Sequence, residues 1–107
     1  MPWVSLCEKS ELVQGKGKHV EMDGFRLGVF LNGEKISVMD DICPHAGASL
    51  SGGYIDDGCA ICPRHFWPFD LETGKLRGMG GVQVSVYPVR VFEFEGKQLV
   101  QAMLPGF

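Results

Sequence analysis

Turn-forming dipeptides divide the 107-residue chain into short segments, and this spacing limits the possible fold more than any other feature. Asp23-Gly24, Asn32-Gly33, Asp57-Gly58 and Glu95-Gly96 are typical of tight turns between strands. Many of the segments between them alternate apolar and polar residues, and no stretch keeps helical periodicity over two turns. We therefore predict an all-β fold, an antiparallel β-sandwich or barrel.

The strand positions are predicted from this alternation and from the adjacent turns. The predicted strands cover 3–6, 18–22, 25–31, 34–39, 54–55, 59–61, 69–71, 82–86, 89–94 and 98–103. One helical turn is expected at 9–12, with Ser10 as its N-cap, and a flexible connection is expected at 78–81. We expect a single domain over 1–107, in which a loop-rich subdomain at 40–71 is set into the β scaffold.

Composition limits the function classes and the compartment. The net charge of −3 and the lack of any Lys/Arg cluster argue against nucleic-acid binding. No apolar run is long enough to span a membrane, and the N-terminus lacks a signal-peptide pattern, so a cytoplasmic location is expected. In that reducing compartment, four Cys residues are expected to be metal ligands or free thiols rather than disulfides.

Two loops each carry one Cys and one His. The first reads Cys43-Pro44-His45 and the second Cys62-Pro63-Arg64-His65. With only four Cys and three His in the chain, two such matched clusters are difficult to obtain by chance. Two Cys and two His would also suit tetrahedral zinc, but zinc sites usually place like ligands together. The mixed order favours a two-iron centre, with structural zinc as a minor alternative.

A redox dithiol is a further alternative, because Cys59-Ala60-Ile61-Cys62 has the C-x-x-C spacing. Such a motif normally opens a helix in a βαβ setting, which the pattern here does not predict. Ala60 and Ile61 suit a strand that leads into the second loop. We therefore expect Cys59 to be a small buried apolar residue.

The two loops and the segment that follows the second loop resemble the Rieske [2Fe–2S] family. The matching motifs are Cys43-Pro44-His45-x-Gly47-x-x-Leu50, Cys62-Pro63-Arg64-His65 and Phe69-Asp70-x-x-Thr73-Gly74. The resemblance implies one [2Fe–2S] cluster per chain. Cys43 and Cys62 would hold the buried iron, and His45 and His65 would hold the outer iron through Nδ1.

The chain differs from the high-potential respiratory members of the family that it resembles. Their loops carry a disulfide whose positions correspond here to Ala48 and Arg64, and their Ser and Tyr hydroxyls near the cluster correspond to Trp67 and Phe69. Fewer donors to the sulfurs stabilise the reduced state less. We expect a potential near the low end of the Rieske range and a shielding role for both aromatic residues.

The resemblance implies a one-electron carrier with no substrate site of its own. Its expected partners are proteins: a flavin- or NAD(P)H-linked reductase and a terminal oxygenase or reductase, with no nucleic acid or membrane. It is similar to ferredoxin components of aromatic-ring dioxygenases. The alternative is a tightly bound small subunit of an NAD(P)H nitrite reductase, which the stretches 65–74 and 87–90 resemble slightly more.

Residues outside the loops are given ordinary roles. His19 is predicted to be a surface residue far from the loops, and Cys7 a buried thiol in a strand. Turn formation, rather than partner docking, is the expected role of four residues beside the loops: Asp40, Asp41, Asp56 and Asp57.

Overall fold

The computed structural model describes residues 3–45, 47–78 and 80–106. The strands within these ranges are β1 (Trp3–Glu8), β2 (Gly17–Met22), β3 (Phe25–Asn32), β4 (Lys35–Asp40), β5 (Tyr54–Asp56), β6 (Cys59–Ile61), β7 (Pro68–Asp70), β8 (Val86–Tyr87), β9 (Val89–Phe94) and β10 (Lys97–Met103). Short 3₁₀ turns lie at Lys9–Glu11 and Leu50–Gly52. The all-β prediction is confirmed, and no helix of the described ranges is both long and apolar enough to cross a membrane.

The described strands form three antiparallel sheets. One has the order β1-β10-β9, the second β2-β3-β4-β8, and the third β5-β6-β7. Leu27, Val29, Val38 and Val100 belong to a core cluster contributed by the first two sheets, because alternate residues of β3 and β4 face inward there. The third sheet carries the second loop at the end of β6 and packs over a separate core cluster.

The predicted hairpin turns form, with one shift in position. The turn after β3 contains Gly33 and Glu34, because Asn32 still pairs with Lys35. Gly33 has a φ of 65°, which suits the first central position of a type II′ turn. The Asp57-Gly58 and Glu95-Gly96 turns have positive φ at both residues, as a type I′ turn requires.

Two local predictions need correction, and two others include residues outside the described ranges. The first 3₁₀ turn is capped by Glu8 and Glu11, which form a reciprocal capping box, and not by Ser10. Residues 82–85 form no strand, because Gln83 makes only an isolated bridge and β8 begins at Val86. The predicted loop at 43–53 and the connection at 78–81 include residues 46 and 79, which lie outside the described ranges.

Candidate metal centre

The two ligand loops share one backbone arrangement. The Cys43 N–H donates to the carbonyl of Ala48 at 2.8 Å, and the Cys62 N–H donates to the carbonyl of Trp67 at 3.0 Å. The carbonyls of the same Cys residues accept from the N–H groups of Gly47 at 2.7 Å and Phe66 at 3.0 Å. Each Cys is therefore the first residue of a loop closed by two backbone hydrogen bonds. Two such loops can present ligands from opposite sides of one site.

The two His side chains meet at the ends of these loops. The Nδ1 atoms of His45 and His65 lie 3.3 Å apart, and the ring centroids are 4.8 Å apart. Both residues are exposed. Trp67 stacks on His45, with centroids 3.8 Å apart and planes inclined by 8°, so the indole fixes the orientation of that imidazole. Two Nδ1 atoms this close together suit the coordination of a single metal ion.

The two Cys side chains lie in the core of the protein. Cys43 and Cys62 are fully buried and belong to one cluster with Leu50 and Phe69. None of the four Cys residues forms a disulfide. The described ranges contain no group of three or more His, Cys, Asp and Glu side chains arranged around a single metal ion. A buried thiol pair and an exposed imidazole pair fit a centre of two irons that each take two protein ligands.

A buried carboxylate supports the first loop from behind. Asp41 is 1% exposed and lies two residues before Cys43. Its carboxylate accepts hydrogen bonds from the Ser51 N–H at 2.6 Å and the Ser51 hydroxyl at 2.5 Å, and lies 2.5 Å from Nδ1 of His19. Asp41 thus connects β2, the end of β4 and the 3₁₀ turn that follows the first loop.

This network corrects two predictions. Asp41 does not have the predicted turn-forming role, since its carboxylate is buried and is hydrogen-bonded to Ser51 and His19. His19 is exposed, but it is not remote from the loops, because it contacts the residue that leads into Cys43. The hydrogen bond to Asp41 raises the pKa of His19, and Glu21 at 3.5 Å adds to this effect. Sequence reasoning missed the contact because His19 and Asp41 are 22 positions apart.

The remaining Cys residues and flanking aspartates lie where the fold gives them structural roles. Cys59 is buried in β6, as predicted. Cys7 lies in β1 and is half-buried, and this burial raises the pKa of its thiol to about 11. Asp40 was predicted to form a turn, but it is the last residue of β4 and accepts a hydrogen bond from the Tyr87 hydroxyl at 2.6 Å. Asp56 and Asp57 are exposed at the hairpin turn, in agreement with the prediction.

Phe66 has an unusual backbone conformation. Its φ is 59°, in the left-handed region, which costs an ordinary residue about 1–2 kcal/mol. Gly47, at the equivalent position of the first loop, has a φ of 71° without that cost. The Phe66 side chain is 64% exposed, so burial compensates for little of the strain. This conformation of Phe66 could not be predicted from the sequence, because it follows from the closure of the loop.

Comparison with known proteins agrees with this geometry. A family model described as the Rieske [2Fe–2S] domain matches residues 2–93. The chain is 32% identical over 97 residues to ferredoxin CarAc of Metapseudomonas resinovorans, a match that covers 90% of this chain and 87% of that protein. It is 38% identical over 68 residues to the anthranilate 1,2-dioxygenase ferredoxin subunit of Burkholderia cepacia. That second match spans 63% of each protein.

Solved structures share the fold. A chain in the complex of reduced oxygenase and oxidised ferredoxin of carbazole 1,9a-dioxygenase has a TM-score of 0.76 and 31% identity, over 92% of this chain and 91% of that one. A protein described as an NADH-dependent nitrite reductase small subunit, from Mycobacterium tuberculosis, has a TM-score of 0.83 over 96% of each chain, and its 24% identity supports the fold alone. By its family match and by the identity to its relatives, the chain belongs to the Rieske [2Fe–2S] domain family.

Proposed function

We propose that the chain is a one-electron carrier with a single [2Fe–2S] cluster. Cys43 and Cys62 would hold the buried iron, and His45 and His65 the outer iron. The observation that carries the proposal is the pair of exposed imidazoles, whose Nδ1 atoms lie 3.3 Å apart in loops that begin at buried Cys residues. When bound, the cluster supplies a one-electron redox couple. The exposed His pair would be the point at which electrons enter and leave.

The residues around the site suit this role. Sheet β5-β6-β7 and the two loops would form the cluster-binding subdomain of a single domain. Trp67 orients one imidazole and covers part of it, and the buried ring of Phe69 keeps water from the core below the loops. The Cys thiolates would be shielded from water, and the His imidazoles would be exposed to it. The outer iron would therefore be the one that a redox partner can approach.

The chemistry near the cluster supports a low potential. Ala48 and Arg64 cannot form a disulfide between the loops, and Trp67 and Phe69 have no hydroxyl group to donate. Since donors to the sulfurs favour the reduced cluster, the lack of hydroxyl donors at Trp67 and Phe69 supports a potential near the low end of roughly −150 to +300 mV. A carrier of this kind would accept electrons from a flavin- or NAD(P)H-linked reductase in the cytoplasm.

The names of the sequence relatives favour a terminal oxygenase as acceptor. Ferredoxin components of dioxygenase systems match the chain at 29–38% identity, whereas the nitrite reductase small subunit matches at the level of the fold. A permanent subunit would remain bound to its enzyme during purification of the native protein. A shuttle would separate from it, because transient redox contacts are small.

The decisive experiment is metal analysis of the purified chain, followed by a transfer assay. We expect a red-brown protein with two irons and two acid-labile sulfides per chain. Cys62→Ser should abolish the cluster, whereas Cys59→Ser should retain it. A colourless protein with one zinc would contradict the proposal. With the cluster present, reduced protein should donate one electron to the oxygenase of carbazole 1,9a-dioxygenase, and no reduction of that oxygenase would contradict the assigned class of acceptor.

A further inference from the structure

Phe66 differs from every other described non-glycine residue with positive φ. Asp23, Asp57 and Glu95 each precede a Gly in a tight hairpin turn, where the left-handed conformation belongs to the turn type. Phe66 is bulky and lies in the second ligand loop, immediately after His65. For a residue of this size the left-handed region is an outlier, and such strain is found mainly where function requires it.

The loop needs this conformation but does not need the phenyl ring. Gly47 makes the corresponding hydrogen bond in the first loop with the same sign of φ. A Cβ atom at Gly47 would meet nothing within 4 Å, so the space beside the equivalent position is open. The Phe66 ring is 64% exposed, more than any other described large apolar side chain. Neither the fold nor packing accounts for an aromatic residue there.

The charged residues of the two ligand loops differ in sign from the net charge of the whole protein. The net charge of the chain is −3, yet Arg64 is the only Asp, Glu, Lys or Arg in residues 43–48 and 62–67. Arg64 is exposed and makes no ion pair within the described ranges. Exposed Pro44 and Pro63 extend the apolar surface beside the His pair. Phe66, Arg64, Pro44 and Pro63 are referred to below as the tip patch.

We propose that the tip patch is the specificity-determining contact for the terminal oxygenase, with Phe66 as its anchor. The partner surface would offer an apolar socket for the phenyl ring and a carboxylate at its rim for Arg64. An exposed aromatic anchor with a cationic neighbour matches the residue types that dominate binding energy in protein interfaces. Phe66 directly follows His65, so its insertion would bring the His pair against the acceptor. This inference rests on the proposed electron-carrier function.

The test compares variants of the cluster-loaded protein in electron transfer to two acceptors. One is the oxygenase of carbazole 1,9a-dioxygenase, and the other is ferricyanide, which has no socket. Phe66→Gly should slow reduction of the oxygenase by about tenfold or more, as expected for loss of an interface anchor. The same variant should react with ferricyanide within about twofold of the wild-type rate and should keep its visible spectrum. Its melting temperature should not fall, because Gly relieves the strain at φ 59°.

Two further variants separate the tip patch from general surface effects. Phe94 is 53% exposed on β9, so Phe94→Ala removes a comparable aromatic side chain elsewhere and should leave both rates unchanged. Arg64→Glu should slow reduction of the oxygenase, and the loss should diminish at high salt because it is electrostatic.

Each alternative result has a distinct meaning. An oxygenase rate for Phe66→Gly that equals the wild-type rate would overturn the inference and leave the carrier function intact. Equal losses with both acceptors would also overturn it, since Phe66 would then support the cluster and not the partner contact. An equal loss in Phe94→Ala would show that the effect is unspecific. Wild-type protein that reduces ferricyanide and not the oxygenase would contradict the proposed acceptor class, and the partner assignment with it.

Discussion

At the scale of single residues, side chains that are not candidate ligands hold the first ligand loop in position. The buried carboxylate of Asp41 accepts from both the backbone and the hydroxyl of Ser51 and contacts the partly exposed ring of His19. A buried carboxylate is tolerated only when its oxygens are hydrogen-bonded. Asp41 therefore fixes the chain immediately before Cys43 and the segment after the first loop as one unit.

Replacement of Asp41 should weaken the fold strongly. Asp41→Ala would leave the Ser51 N–H without its acceptor, and we expect a loss of about 3–5 kcal/mol in the free energy of unfolding. Asp56→Ala is the matched control, because that carboxylate is exposed and should contribute less than about 0.5 kcal/mol. Urea denaturation of both variants measures the difference, and similar midpoints would show that Asp41 has no structural role.

The contact between His19 and Asp41 should make stability depend on pH. The pKa of His19 is raised in the folded protein by its hydrogen bond to Asp41, so the folded state binds the proton more tightly than the unfolded state. The stabilisation is fully present below the unfolded pKa of about 6.5 and is lost as pH rises through the raised folded pKa. Because His19 is partly exposed, the amount should be under about 1 kcal/mol.

The measurement is the difference in unfolding free energy between wild type and His19→Gln across pH 5 to 9. Comparison with the variant separates His19 from the other titrating groups, including the candidate ligands His45 and His65. The difference should be largest at the acidic end and should shrink toward pH 9. A constant difference would show that the ion pair with Asp41 does not form in solution.

At the scale of secondary-structure elements, the β5–β6 hairpin delivers Cys62 to the site. Tyr54 pairs with Ile61 and Asp56 pairs with Cys59, so the hairpin register sets where the second loop begins. Gly53 lies directly before this hairpin and approaches the backbone of Ile61 closely. A side chain at Gly53 would act on the residue that precedes Cys62.

Gly53→Ala should disrupt both the fold and cluster assembly. An added Cβ would lie 1.9 Å from the Ile61 carbonyl oxygen, a backbone atom that cannot move without shifting β6. We expect a loss of about 3 kcal/mol or more and a lower iron content. Gly52→Ala is the control, because its nearest neighbour would be a Pro63 side-chain atom at 3.9 Å. Equal iron content in the two variants would contradict this view of the hairpin.

At the scale of the whole molecule, the hydrophobic core is divided into two clusters, and one of them contains candidate metal ligands. The cluster between the first two sheets is built from side chains such as Leu27, Val38 and Val100. The other cluster includes Cys43 and Cys62, the candidate ligands of the buried iron. A metal centre that binds only the folded state stabilises that state. The stabilisation should be greatest in the core cluster that contains Cys43 and Cys62.

Removal of the [2Fe–2S] group should therefore destabilise the part of the core that contains Cys43 and Cys62 before the part between the first two sheets. We expect the iron-free chain to melt about 10 °C or more below the loaded form, equivalent to roughly 2 kcal/mol for a domain of this size. Limited proteolysis of the iron-free chain should cut within 43–53 and 62–68 while β9 and β10 stay protected. Identical melting temperatures, or cleavage spread evenly over the chain, would contradict this division.

Most strands of this protein could be predicted from the sequence, because the patterns that indicate them are local. Alternation of apolar residues and Gly-containing turns placed most strands, since both depend on neighbours in the sequence. Errors occurred where local signals compete. Val82, Val84 and Val86 alternate like a strand, yet residues 82–85 lack a continuous partner strand and form only an isolated bridge. The Asn32-Gly33 signal was displaced by one residue because the ladder between β3 and β4 extends to Asn32.

The sequence by itself determined the fold class, the family resemblance and the four candidate ligands, because chemical identity and spacing are written along the chain. Only the tertiary structure decided which residues surround those ligands. It brought His19 to Asp41, stacked Trp67 on His45 and gave Phe66 a left-handed backbone on an exposed surface. The physical reason is that these relations arise from contacts between distant segments and from loop closure, and neither leaves a periodic pattern in the sequence.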